Sequence, residues 1–185
     1  ISIKHQRGAI ILFDFRAAFP SLCHDFLWEA LEALGIPMEY IRALQMFYVE
    51  NKHILRVGGI EMESVFVHSG VRQGCPLSPI LFALISDILL REIDAHLQSD
   101  EALRAFADDT GIVLTDFARQ ANDILVIFKE LALILNLQLN MNKTVMIPLW
   151  ESTAVSVSGW LQRELPEWSQ IEVARLFTPV ALVSH

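Results

Sequence analysis

The sequence predicts an α+β domain, an antiparallel sheet backed by helices, on three observations. Residues 10–15 (IILFDF) form a continuous apolar run of strand length whose one acid, Asp14, lies near its C-terminal end. Residues 103–106 and 111–114 are two arms around Ala107, Asp108, Asp109 and Thr110, so paired carboxylates sit at the tip of a hairpin. Residues 117–135 carry apolar side chains at 117, 121, 124, 125, 128, 131 and 135. Arg119, Gln120, Asp123, Lys129 and Glu130 fall on the other side, the pattern of an amphipathic helix lying on a sheet.

The remaining elements follow in chain order. After a strand at about 9–15 come a helix at about 24–34, stopped by Gly35 with Pro37 just beyond, and a second helix at about 38–49. Residues 53–57 and 60–68 flank Gly58-Gly59, a two-residue turn pair, and read as a hairpin. The loop 69–79 (SGVRQGCPLSP) holds two glycines and two prolines. It opens into a helix over about 80–97 that is apolar on most sides up to Leu90 and is expected to lie buried behind the acid-bearing strands. The acidic hairpin, the amphipathic helix and a candidate edge strand at 144–149 complete a strand–helices–hairpin–helix–hairpin–helix–strand order, which suits an antiparallel sheet covered by helices.

Two adjacent carboxylates between apolar walls repel each other and lose hydration. The remedies are protonation of one or capture of a divalent cation. The plainer alternative is an ordinary Asp/Gly hairpin turn, with Asp14 a solvent-facing acid at a strand end. Glycines in the 69–79 loop would let backbone approach a ligand closely, and the start of the following helix suits a phosphate or nucleotide edge. Read alone, that loop is also an ordinary Pro-primed helix start.

Four segments in order, ILFDFRAAFPSL (11–22), SGVRQGCPLSPILF (69–82), AFADDTG (105–111) and LNLQLNMNKT (135–144), resemble the palm of a reverse transcriptase, most closely the non-LTR, LINE-type retrotransposon enzymes. The resemblance spans roughly residues 9–147. It implies a polymerase palm with partial fingers over residues 1–150 and a degenerate or rewired C-terminal tail over 151–185. In that tail, residues 174–179 echo a primer grip loosely. It also implies two Mg2+ ions, with Mn2+ as a substitute, on Asp14 and Asp108, and Asp109 beside them as a supporting ligand. Phe19 would lie under the sugar of the incoming nucleotide and clash with a 2′-hydroxyl; its alternative is a core phenylalanine. Gln73 and Gly74 would lie against the templating base pair, and Arg72 would reach template or phosphate. Lys143 would protonate departing pyrophosphate, its alternative being a plain surface lysine. The implied partners are an RNA template, a DNA primer and dNTPs. The chain begins 13 residues before Asp14, so fingers and thumb segments of the same polyprotein are expected outside it. Pro20 stands where related sequences often carry Asp or another polar residue. A retroelement remnant without turnover, or a palm that binds RNA without catalysis, stays open as the alternative.

Composition bounds the rest. The chain has 185 residues, 53% of them hydrophobic, with a mean hydropathy of +0.40, enough for one domain with a large core and apolar surface meant for neighbours. Its net charge of −8 (14 basic against 22 acidic residues) weighs against a free-standing nucleic-acid binder. On the resemblance, the basic tracks lie in the fingers and thumb. Cys23 and Cys75 show no paired spacing, and the six histidines lack a helical two-His spacing, so neither a disulfide framework nor a zinc site is indicated. The greasiest run, 80–90, is interrupted by Ser86 and Asp87 and falls short of a membrane span. An intracellular setting, nuclear or cytoplasmic, is the default expectation.

Overall fold

The computed structural model describes residues 7–62 and 65–174. The chain opens with β1 (Ala9–Phe13) and β2 (Phe15–Arg16), then one helical turn, α1 (Ala18–Ser21). Next come α2 (His24–Ala33) and α3 (Met38–Met46), followed by the short strands β3 (Lys52–His53), β4 (Arg56–Val57), β5 (Ile60–Glu61) and β6 (Val65–Phe66). The long helix α4 (Ser78–Ala95) leads into β7 (Ala102–Phe106), β8 (Asp109–Leu114) and α5 (Phe117–Leu135). The chain continues with β9 (Gln138–Leu139), β10 (Val145–Pro148), α6 (Ala154–Glu164), a 3-10 turn at Pro166–Trp168, and β11 (Glu172–Val173).

The central sheet has the order β11-β10-β1-β8-β7, with β1 in the middle. Its pairs are antiparallel except β10 with β11, which run parallel. Alternation decides which face is covered: Ala9, Ile11 and Phe13 are buried on the helix side with Thr110, Ile112 and Leu114, while Leu12 is 45% exposed on the other. Against the covered face pack Phe128 of α5, 4.6 Å from Phe13 between ring centroids, and Trp168, 5.0 Å from Phe117. Leu81, Phe82, Ile85, Leu89 and Ile93 of α4 complete this core, in keeping with the expected burial of that helix.

Several expectations change in detail. The strand expected over 9–15 breaks at Asp14, because β2 leaves the sheet to pair with β9 (Phe15 opposite Leu139). α1 was not anticipated: Pro20 discourages a helix reading but is tolerated within the first turn. α3 stops at Met46 rather than near residue 49. The strand at 145–148 is not an edge, since β11 covers it, and this pairing makes the sheet mixed at one side. Within residues 151–174, Trp168 is fully buried against the sheet's covered face and α6 is started by a Thr153–Ser156 capping box. Of the primer-grip echo at 174–179, all but residue 174 lies outside the described residues.

Local chemistry explains the rest. Gly35, at φ +78°, ends α2 in the left-handed conformation that glycine adopts most readily. α5 has the expected bounds, and its C-cap Asn136 (φ +58°) donates from Nδ2 to the Ser21 carbonyl at 2.8 Å. Gly58 and Gly59 turn the β4–β5 hairpin with φ +60° and +84°, the signs a type I′ turn requires. Its arms are interrupted ladders and expose Ile54, Leu55, Val57, Ile60, Met62, Val65 and Phe66.

Candidate active site

The sheet carries its acids to one end. Phe13 pairs with Thr110 at the last position of the β1–β8 ladder, so Asp14 follows one residue beyond it, at the end of the sheet where Asp109 opens β8. Asp14 is half-buried, and its carbonyl accepts from the Asn140 amide at 2.7 Å. That bond anchors the turn 140–143, closed by the Lys143 and Thr144 amides on Asn140 O at 3.0 Å, beside Asp14. Lys143 is exposed on this turn and makes no ion pair among the described residues.

The two hairpin acids look into different spaces. Asp108 lines a cleft of about 520 Å3 together with Phe19, Arg72, Gln73, Gly74 and Cys75. Asp109 instead borders a depression of about 370 Å3 on the uncovered sheet face, with Leu12, Phe106 and Gly111. The backbone divides them: Ala107 turns the tip at φ +54°, a left-handed conformation that costs a non-glycine residue roughly 1 kcal/mol. Phe106, beside the tip, is 85% exposed, so the open face is a broad apolar floor.

The opposite wall of the cleft is bound to the α1 segment. Gly70 (φ +83°) passes so close to Pro20 that a Cβ would overlap its carbonyl and lie 2.5 Å from its Cα. The Gly70 amide donates to Leu22 O at 2.7 Å, the Val71 amide to Phe19 O at 2.8 Å, and His24 Nε2 to Gly70 O at 2.6 Å. Phe19 is held in turn, stacked on Phe82 with centroids 4.6 Å apart and an interplanar angle of 16°. The Arg72 guanidinium, expected to reach template or phosphate, donates from Nη2 to Phe47 O at 2.7 Å and to Asn51 Oδ1 at 2.9 Å. Gln73 and Gly74 are exposed at the mouth.

The sequence reading passed over Gly70, His24 and Asn51. A positive φ at Gly70 has no local signal, and the other two act through partners more than 20 residues away. It also missed Glu101 at the far end of the sheet. Burial would push that carboxyl up, but the Gln98 and Thr115 amides, the Gln120 side chain and the Thr115 hydroxyl outweigh burial and hold it below its ordinary range. Inside the cleft, the Cys75 thiol is held below its ordinary range mainly by the Leu77 amide. Desolvation opposes this, and Ser78 adds to it.

Among the described residues, no three His, Cys, Asp or Glu side chains already form a metal-binding group. The donor set nevertheless suits a hard cation that keeps one or two carboxylates and completes its shell with substrate phosphate oxygens.

The model of the reverse transcriptase (RNA-dependent DNA polymerase) family matches residues 2–160. The Pol polyprotein of the type-2 retrotransposable element R2DM of Drosophila melanogaster is 34% identical over 145 residues, 78% of this chain and 13% of that polyprotein. The Pol polyprotein of a type-1 retrotransposable element R2 of Popillia japonica is 30% identical over 176 residues, covering 84% of this chain and 23% of that protein. The chain therefore corresponds to a small part of such relatives. A telomerase structure from Candida tropicalis, in complex with a TWJ fragment of telomeric RNA, shares the fold at a TM-score of 0.66 and 15% identity, covering 82% of this chain and 27% of that one. With this fold, this cleft and a match over most of its length, the chain belongs to the reverse transcriptase family, in its non-LTR retrotransposon branch.

Proposed function

We propose that this chain is the catalytic palm of an RNA-directed DNA polymerase that adds dNTPs to a DNA primer on an RNA template. The observation that supports this most is a single cleft shared by Asp108, Phe19, Gln73 and Gly74, with Asp14 delivered to the same end of the sheet. Enzymes of this family use divalent metal ions, and the reading here is two Mg2+, with Mn2+ as a substitute. Asp14 and Asp108 would hold them and Asp109 would support them, the ions supplying the electrostatic clamp on attacking and leaving oxygens in phosphoryl transfer.

The chain's own residues do the rest. Phe19, fixed against Phe82, presents its ring to the sugar and excludes a 2′-hydroxyl by contact. Gln73 offers a side-chain amide to the base pair, and Gly74 keeps the backbone low beneath it. Arg72 holds the loop at its height through Phe47 and Asn51. Lys143, beside Asp14, supplies a proton toward departing pyrophosphate. The uncovered face with Leu12 and Phe106 is the floor for the primer–template duplex. Fingers and thumb segments elsewhere in the same polyprotein complete the grip, in the nucleus or cytoplasm.

Primer extension with Mg2+ and dNTPs tests this, comparing the chain alone with a polyprotein segment that includes its upstream and downstream neighbours. The longer segment extends the primer, and Asp14→Asn or Asp108→Asn each lowers the rate on the order of 1,000-fold with folding intact. If the longer wild-type segment binds RNA but incorporates nothing, the catalytic reading is lost.

A further inference from the structure

At the end of the sheet remote from the acids lies a second site. Arg7 precedes β1, Trp150 follows β10, and Trp160 and Arg163 lie on α6; together they line a pocket of about 230 Å3. The five residues of β1 place it roughly 17 Å from Asp14 along the strand. The Arg7 guanidinium lies 4.5 Å from the Trp160 ring centroid. Trp150 meets Trp160 edge-on, with centroids 6.2 Å apart at 87°, so the two indoles form a corner rather than a stack. Arg163 folds back along the helix, its Nη1 3.6 Å from the Cβ position of Gly159, an ordinary contact distance.

Other groups at the site are already committed. The Thr153–Ser156 capping box uses both hydroxyls, and Ser152 Oγ donates to Trp150 O at 3.2 Å. Neither Arg7 nor Arg163 forms an ion pair among the described residues, although the chain carries a net charge of −8. Glu151 is the single acid lining the pocket. What remains for a ligand is therefore two planar cations and an aromatic corner. An acidic peptide would satisfy the cations and leave the corner unfilled; a nucleotide uses both, a phosphate on the guanidinium forks and a base against the indoles.

We propose that this pocket seats one unpaired nucleotide of a single-stranded polynucleotide, independently of the catalytic cleft. The test uses the full chain with 12-nucleotide oligouridylate carrying 4-thiouridine, and the thymidylate equivalent carrying 4-thiothymidine. After photocrosslinking, adducts are expected on the peptide spanning 150–163. Labelling by either probe supports the site, and the stronger one identifies its strand. Arg7→Glu with Arg163→Glu should weaken binding at this site about tenfold and erase those adducts, while any adducts at 72–75 persist. The Arg7→Lys, Arg163→Lys pair, which keeps the charge and the fold but loses the planar forks, should fall between. Adducts at 150–163 that survive the double Glu substitution, or an oligoglutamate peptide that displaces the oligonucleotide at equal concentration, would overturn the proposal.

Discussion

The two walls of the cleft turn the backbone through left-handed conformations in opposite ways. The 69–78 loop uses glycines: Gly70 and Gly74 have φ of +83° and +84°, and at Gly70 the Pro20 backbone occupies the space a side chain would need. The acid wall uses Ala107, at φ +54°, on a tip held by the β7–β8 ladder and otherwise exposed. The loop wall is thus pre-assembled by the protein through Leu22, Phe19, His24, Phe47 and Asn51. The acid wall presents carboxylates that form no ion pair among the described residues; on the proposed function, their partners would arrive with substrate. Selection surfaces need rigidity before binding; a metal site completed by phosphate oxygens does not.

Two substitutions probe that contrast, and a third serves as a reference away from it. The largest effect is expected for Gly70→Ala, which combines a forbidden contact with Pro20 and left-handed strain. It should lower unfolding free energy by roughly 3 kcal/mol or more, read by denaturant titration, and misplace Gln73. A loss below about 1 kcal/mol would show that the loop is not tied to α1 as described. Ala107→Gly should act in the opposite direction. Relief of left-handed strain, partly offset by added freedom in the unfolded chain, should raise stability by at most ~1 kcal/mol. A destabilised variant would mean that the tip is not strained.

The smallest effect concerns Glu101, remote from both walls. Its carboxyl is held below the ordinary range, so its contribution to stability is present at neutral pH and is lost as pH falls through the depressed folded value. Glu101→Gln should therefore flatten the fall in stability between the ordinary carboxylate range and more acidic pH, as followed by thermal melts. An unchanged acid slope would remove Glu101 from the tie between β7, β8 and α5.

Much of this was legible in the residues. The 3.6-residue period gave α5 its bounds, because a helix facing a sheet repeats its apolar side chains by local geometry. Gly58-Gly59 and the Asp108-Asp109 hairpin were legible for the same reason, since turn chemistry is local. Asp14, Asp108, Phe19, Gln73 and Gly74 could be named as candidates because the four motifs occur in order. The sequence could not show that Asp108 and Asp109 open onto different faces, that Arg72 Nη2 donates to Phe47 and Asn51, or that β11 covers β10.

What the sequence determined by itself was the identity and order of the main elements from β1 to β10, because backbone sterics and the hydrophobic period act over a few residues. Tertiary structure alone decided which groups meet: Asp14 with the turn at Asn140, Gly70 against Pro20, Arg7 over Trp160. These neighbours come from strand register and burial, which depend on segments tens of residues apart, and a one-residue slip in β1 would turn every one of its side chains to the other face.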